Sequence, residues 1–120
     1  MITVTKQFNF CYAHFLPDYD GKCVNLHGHN SVVEMEFTCP GIETYPGMVV
    51  DFTTIKKEIN PIIEQLDHKF LNKDLPEITP PTAENIVQWI VDHILSTPLG
   101  PGLIRVRVSE TPTSWTEWRV

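Results

Sequence analysis

Apolar and polar residues alternate from the start of the chain. Ile2, Val4, Phe8, Phe10, Tyr12 and His14 share one parity, and Thr3, Thr5, Gln7 and Asn9 take the other. Successive strand side chains point to opposite faces, so this period of two predicts a half-buried strand from Ile2 to His14. Pro17, Asp18, Asp20 and Gly21 then mark a loop. The alternation returns from His27 to Cys39, with His27, His29, Ser31, Val33, Met35 and Phe37 on one face and Asn30, Glu34, Glu36 and Thr38 on the other. Two such strands predict an antiparallel pair with one wet face.

The period then changes. Phe52, Ile55, Ile59, Ile62, Ile63 and Leu66 recur at steps of three and four, which predicts an amphipathic helix capped at its start by Asp51 or Thr53. Pro61 lies inside this pattern and is expected to kink or interrupt it. After Pro80-Pro81, Thr82 is the expected N-cap of a second helix carrying Ala83, Ile86, Val87, Ile90 and Ile94 on one side. Ile104, Val106, Val108 and Glu110 then share a strand face opposite Arg105, Arg107 and Ser109, and Thr111-Pro112-Thr113-Ser114 turns the chain into a last strand ending at Trp118 and Val120. Strands, then helices, then strands predict an α+β fold: an antiparallel four-stranded sheet with two helices packed on one face.

Composition narrows the function. With 120 residues there is room for one domain, spanning 1–120, and so short a chain gains buried surface by oligomerising. A net charge of −6 with scattered Lys and Arg argues against a nucleic-acid partner. No apolar run is long enough to cross a bilayer, and Met1-Ile2-Thr3-Val4-Thr5-Lys6 lacks a signal-peptide layout. Cys11, Cys23 and Cys39 form no C-x-x-C pair and leave one odd, as suits a reducing cytoplasm.

The candidate chemistry gathers on the histidines. His27 and His29 flank Gly28 on one strand, so their imidazoles project to the same side, and Gly28 lets another backbone come close. An H-x-H alone is weak, since a lone inward histidine is more often a hydrogen-bonded core residue. His14, on the matching parity at the end of the preceding strand, strengthens the case. Three neutral imidazoles with a fourth position open suit a catalytic zinc. Cys23, four residues before His27 and beside Lys22, is either a nucleophile or base with a lowered pKa or a spectator thiol. Asp67-His68 closes the first helix, as an acid–base pair or as a histidine settling the helix dipole. Glu110 continues an apolar parity, and an inward carboxylate there needs donors such as the guanidine-like edge of a heterocycle, unless the strand has already frayed to solvent.

Ala13-His14, Cys23-Val24-Asn25-Leu26-His27-Gly28-His29, Gly47-Met48-Val49-Val50-Asp51-Phe52, Leu66-Asp67-His68, Pro81-Thr82-Ala83-Glu84-Asn85 and Ser109-Glu110-Thr111, in that order, resemble the 6-pyruvoyltetrahydropterin synthase family over essentially the whole chain. The three residues between Cys23 and His27 are similar to the spacing in its queuosine-pathway branch, the 6-carboxytetrahydropterin synthases. The resemblance implies zinc on His14, His27 and His29, Cys23 as the proton-shuttling base, and Asp67 with His68 as an acid–base pair reaching the site from a neighbouring subunit. It implies that Glu110, with Thr111 beside it, grips a pterin ring, and that the substrate is 7,8-dihydroneopterin triphosphate. The products would be 6-carboxy-5,6,7,8-tetrahydropterin, acetaldehyde and triphosphate, or a pyruvoyl product in the other branch. It further implies the tunnelling fold, in which trimers close a barrel and two trimers stack as a hexamer. Phe15 stands where many members carry Arg directly after the first histidine. A zinc hydrolase is the competing chemistry for three histidines, and it leaves Cys23 and Glu110 without a role.

Overall fold

In a computed structural model covering all 120 residues, strands β1 (Val4–His14) and β2 (His27–Phe37) form a long antiparallel pair, in register from Val4 opposite Phe37 to His14 opposite His27. This is the pairing expected of two alternating segments joined by a polar loop. One face of the pair buries Phe10, Tyr12, Val33, Met35 and Phe37.

Helix α1 (Phe52–Glu64) is capped by Asp51, whose side chain accepts from the Thr53 N–H at 2.8 Å. It buries Ile55, Ile59, Ile62 and Ile63, while Phe52 stays 54 % exposed in its first turn. Pro61 does not end the helix, which continues to Glu64. Its ring faces solvent, and only one backbone bond is forfeited near a terminus that is already loosening.

Two short elements escape the sequence patterns: strand β3 (Lys69–Phe70) and helix α2 (Leu71–Asp74). Helix α3 (Ala83–Leu95) begins at Thr82, whose hydroxyl accepts from the Asn85 N–H at 3.2 Å, and it buries Ile86, Val87, Trp89, Ile90, Val91 and Ile94. Strands β4 (Leu103–Thr111) and β5 (Ser114–Arg119) complete the sheet.

The sheet therefore has five strands rather than four, in the order β3-β1-β2-β4-β5, and the helices number three. The added strand is two residues long and pairs parallel with Tyr12 and Ala13, too short for any periodicity to announce. A second departure is local. The β2–β4 register shifts between Glu36 and Phe37, which brings Leu103 opposite Phe37 and into the core, and leaves Ile104 half-buried instead. One extra residue at a bulge reverses the parity of everything before it.

The α+β class holds: α1 and α3 share one continuous core with the inner sheet face. Ile55, Ile59, Ile86 and Ile90 are fully buried, and truncating any of them to Ala should cost ~2–5 kcal/mol. No helix is long and apolar enough to cross a membrane.

Candidate metal centre and cleft

The β1–β2 ladder delivers the three histidines to one place. His14 and His27 are a cross-strand pair, and His29 lies opposite Tyr12 on the same inner face. Ring centroids are 4.5 Å apart for His14 and His27, 5.1 Å for His14 and His29, and 4.9 Å for His27 and His29. One nitrogen from each lies within 4.8 Å of the others. Gly28 between them keeps the strands close, since a Cβ there would lie 3.3 Å from the Tyr12 carbonyl oxygen and the neighbouring backbone would have to give slightly.

Hydrogen bonds set the tautomers. His14 Nδ1 lies 2.7 Å from the Pro81 carbonyl and His27 Nδ1 lies 2.7 Å from the Asn25 carbonyl. A carbonyl only accepts, so each Nδ1 donates and each Nε2 is left with a lone pair. His14 Nε2 and His29 Nε2 are buried and have no hydrogen-bond partner. Such atoms are costly unless something takes the lone pair, and a divalent cation does. Burial is the main force pushing both His14 and His29 below the ordinary imidazole range, which favours the neutral form that ligates. This donor set fits a tetrahedral metal with one open position.

Glu110 joins the same centre. A register shift between Ser109 and Thr111 lies at its position in β4. Its Oε1 sits 3.1 Å from His29 Nε2 and 3.6 Å from His14 Nε2, close but not aligned for a hydrogen bond. The side chain is 30 % exposed, so the strand has not simply frayed to solvent. Thr111 is fully outside: it is exposed, and its hydroxyl lies 3.4 Å from that of Thr113 in the turn.

A cleft of about 370 Å³ opens beside the histidines, lined by His14, Cys23, Thr82, Glu84, Glu110 and Trp115 among others. Cys23 reaches it from a 3₁₀ turn, Lys22–Val24, that is tied back to the end of β1 because the Leu16 N–H donates to the Cys23 carbonyl at 2.7 Å. Phe15 is held by Asn72, which accepts from its N–H and donates to its carbonyl, both at 3.0 Å, while its ring tilts against Phe70 at 6.1 Å. The position after the first histidine thus joins an apolar contact. No Lys or Arg lines the cleft.

Asp67 and His68 lie elsewhere. Asp67 Oδ1 accepts from the Cys11 N–H at 2.9 Å, and His68 donates its backbone N–H to the Cys11 carbonyl at 2.7 Å. Cys11 has the parity opposite to Tyr12 and His14, so the pair sits at the β1 edge, against the outer face of the sheet. Asp67 is held below the usual carboxylate range, chiefly by the Cys11 N–H, and faces His68 Nδ1 at 3.0 Å. His68 adopts φ 59° with its side chain 78 % exposed, a left-handed conformation that non-glycine residues seldom take and that recurs at functional sites. Within one chain, this dyad and the three histidines are not brought together.

A sequence profile of the 6-pyruvoyl tetrahydropterin synthase family matches residues 3–120. The chain belongs to this family. It is 39 % identical to the 6-carboxy-5,6,7,8-tetrahydropterin synthase of Synechocystis sp., over 95 % of this chain and 90 % of that protein. It is also 38 % identical to the 6-pyruvoyl tetrahydrobiopterin synthase of Drosophila melanogaster, over 98 % and 78 %. The solved structure of Caenorhabditis elegans 6-pyruvoyl tetrahydropterin synthase superposes with a TM-score of 0.82 at 28 % identity, covering 99 % of this chain and 95 % of that one. Synthases with two different products are thus almost equally similar, and overall identity does not choose between them.

The synthase fold also shows a cleft residue that the sequence reading passed over, Glu84. Of its placement the sequence marks only the Thr82 cap; the rest comes from the fold. Thr82 caps α3, the Pro81 carbonyl just before it grips His14, and so the first turn of α3, with Glu84 in it, must overhang the histidines.

Proposed function

We propose that the chain is a zinc-dependent pterin side-chain lyase of the 6-carboxy-5,6,7,8-tetrahydropterin synthase type, acting on 7,8-dihydroneopterin triphosphate in queuosine biosynthesis in the cytoplasm. The observation that carries this reading is the shared cleft. His14, Cys23 and Glu110 all line one space of a size suited to a bicyclic ring. The spacing of Cys23 to His27 favours the carboxy branch.

His14, His27 and His29 would hold the metal, which when bound would supply Lewis-acid chemistry that eases proton loss from a hydroxylated side chain. Cys23 takes the proton at Sγ. Glu110 accepts from the amino and ring N–H groups of the pterin. Because the lining carries no cation, the triphosphate extends out of the cleft, toward Lys22 beside Cys23. Asp67 and His68 serve the cleft of a neighbouring copy, in a trimer or hexamer, since the sheet separates them from the histidines of their own chain.

Incubation of zinc-loaded protein with 7,8-dihydroneopterin triphosphate tests the activity. A 6-carboxy product with acetaldehyde is expected, a pyruvoyl product would move the chain to the other branch, and no conversion would overturn the reading. Mixing inactive Cys23→Ala with inactive His68→Ala tests the shared site. Mixed oligomers should regain part of the activity, because some interfaces then combine both intact halves, and no recovery would count against composite sites.

A further inference from the structure

Five buried side-chain polar atoms in the protein lack a hydrogen-bond partner, and four of them lie together at the histidine end of the inner sheet face: His14 Nε2, His29 Nε2, the Tyr12 hydroxyl and the Ser31 hydroxyl. A metal accounts for the two nitrogens. It does not account for the two hydroxyls. Tyr12 is 4 % exposed and Ser31 1 %, and an unpaired buried hydroxyl is destabilising because its desolvation goes uncompensated. Phenylalanine and alanine would occupy the same volumes without that penalty.

The two hydroxyls have one common neighbour. Tyr12 stands opposite His29 and Ser31 opposite Phe10, so both point to the inner face one step behind the histidines. Val32, next to Ser31, pairs with Ser109, next to Glu110, which brings the Ser31 hydroxyl and the Glu110 carboxylate together beside the Tyr12 phenol. The phenol ring is fixed by packing: it stacks on Phe10 at 5.5 Å and 21°, and stands edge-on to His14 at 5.1 Å and 85°. Its hydroxyl is therefore a donor at a set position. Glu110, at 30 % exposure, has room to swing toward it.

We infer that Tyr12 and Ser31 are positioning residues for Glu110, the Ser31 O–H donating to the Tyr12 oxygen and the Tyr12 O–H donating to the Glu110 carboxylate. This deepens the reading of Glu110 as the group that grips the substrate ring, and rests on it. A carboxylate held by a fixed phenol presents its other oxygen in one direction, so the ring is met by an acceptor that has already lost its freedom. Neither residue belongs to the candidate metal ligands or to the lining of the cleft.

The test uses zinc-loaded protein and neopterin, an oxidised pterin that does not react. Tyr12→Phe should weaken neopterin binding about tenfold, as for the loss of one hydrogen bond to a charged group. Ser31→Ala, one bond further away, should weaken it about threefold. Zinc stoichiometry should be unchanged in both. In a Glu110→Gln background, Tyr12→Phe should add less than about twofold, because the group it positions is gone. An equal loss in both backgrounds, or no loss in either, overturns the inference, since a purely structural Tyr12 would act independently of Glu110. A second readout needs no ligand. The ring Cζ resonance of Tyr12, assigned by its disappearance in Tyr12→Phe, should move on Glu110→Gln, and an unmoved resonance would likewise sink the hydroxyl chain. If that resonance moves while the wild type fails to bind neopterin, the positioning of Glu110 stands and the pterin reading falls.

Discussion

The two faces of the sheet treat polar side chains in opposite ways. On the outer face Arg105 is shared by three carboxylates: Glu36 at 2.8 Å, and Glu34 and Glu117 at 3.3 Å each. Every partner there is paired, and Arg107, whose Nε is the one unpartnered atom, lies over the Trp115 ring at 3.8 Å. At the histidine end of the inner face the four remaining unpartnered atoms crowd one carboxylate. The same strands β2 and β4 build both, so the contrast is not one of local quality. A network that closes on itself contributes stability, whereas one left open has its partner outside the chain. On this contrast rests our reading of the inner cluster as a candidate site and of the outer one as a fastening.

Breaking the inner cluster should have the larger effect. His27→Ala or His29→Ala is expected to abolish stoichiometric zinc, about one per chain in the wild type, because three protein ligands are the minimum such a site uses. Retained zinc in either variant would remove that residue from the ligand set. Metal removal gives the complementary measurement. A ligand present at a hundred times its dissociation constant stabilises the folded state by ~2.7 kcal/mol, so a chelator should lower the melting temperature of the wild type and leave that of His29→Ala where it is.

Glu110→Gln comes next. The amide keeps the shape but replaces one acceptor oxygen with a donor that would face a donor on the ring. Neopterin binding measured by calorimetry should weaken by about 2–4 kcal/mol, the range for truncating one partner of a buried charged hydrogen bond. Zinc content should stay intact. Equal affinity in the two proteins would return the role of ring anchor to another residue, with Glu84 across the cleft the first to examine.

Much of this division was legible in the residues themselves. The period of two from Ile2 to His14 and from His27 onward puts all three histidines on one face, and antiparallel pairing then has only to close the ladder at His14 and His27. The sequence leaves Asp51 and Thr53 as alternatives for the first cap, of which the fold uses Asp51, and it marks Thr82 directly, because a side-chain oxygen before an apolar helix has one obvious use. What escaped was whatever lacks a period. β3 and α2 are too brief, and the bulge beside Phe37 exchanges Ile104 for Leu103 without any sequence mark. Asp67 and His68 leave a helix end through a left-handed residue, so no pattern could have told which sheet face they would reach. By sequence, Tyr12 and Ser31 are ordinary members of the inner parity. Their missing partners became visible only when neighbouring strands were laid side by side.

The outer face supplies the smaller effects. Arg105→Met keeps most of the apolar stem and removes the charge from between three carboxylates. The Arg105 side chain is 11 % exposed and its partners are 21–28 % exposed, so solvent screens the pairs only in part. A loss of ~1–2 kcal/mol in urea unfolding is expected, with zinc stoichiometry and neopterin affinity unchanged. A matching loss of zinc would mean that the two faces are coupled after all.

The most delicate measurement follows that difference with pH. Glu36 is held below its ordinary 4.5, first by the hydrogen bond from Arg105 and then by the Thr3 hydroxyl. Glu117 is held below the same value, first by Arg119 and then by Arg105. Both folded values are depressed, so between the folded and unfolded values the unfolded chain binds more protons. The stabilisation is therefore complete above 4.5 and drains away as pH falls through the folded values. Arg105→Met lacks most of the Glu36 depression and only part of that at Glu117, where Arg119 remains 3.0 Å away. The gap between wild type and variant should accordingly be constant from neutral pH down to about pH 5 and shrink below it. Zinc-free protein is the right material, because the histidines then contribute the same proton uptake to both chains. A gap that survives undiminished to about pH 3 would show that Arg105 acts through the packing of its stem, and the outer face would owe its stability to apolar contact instead of charge.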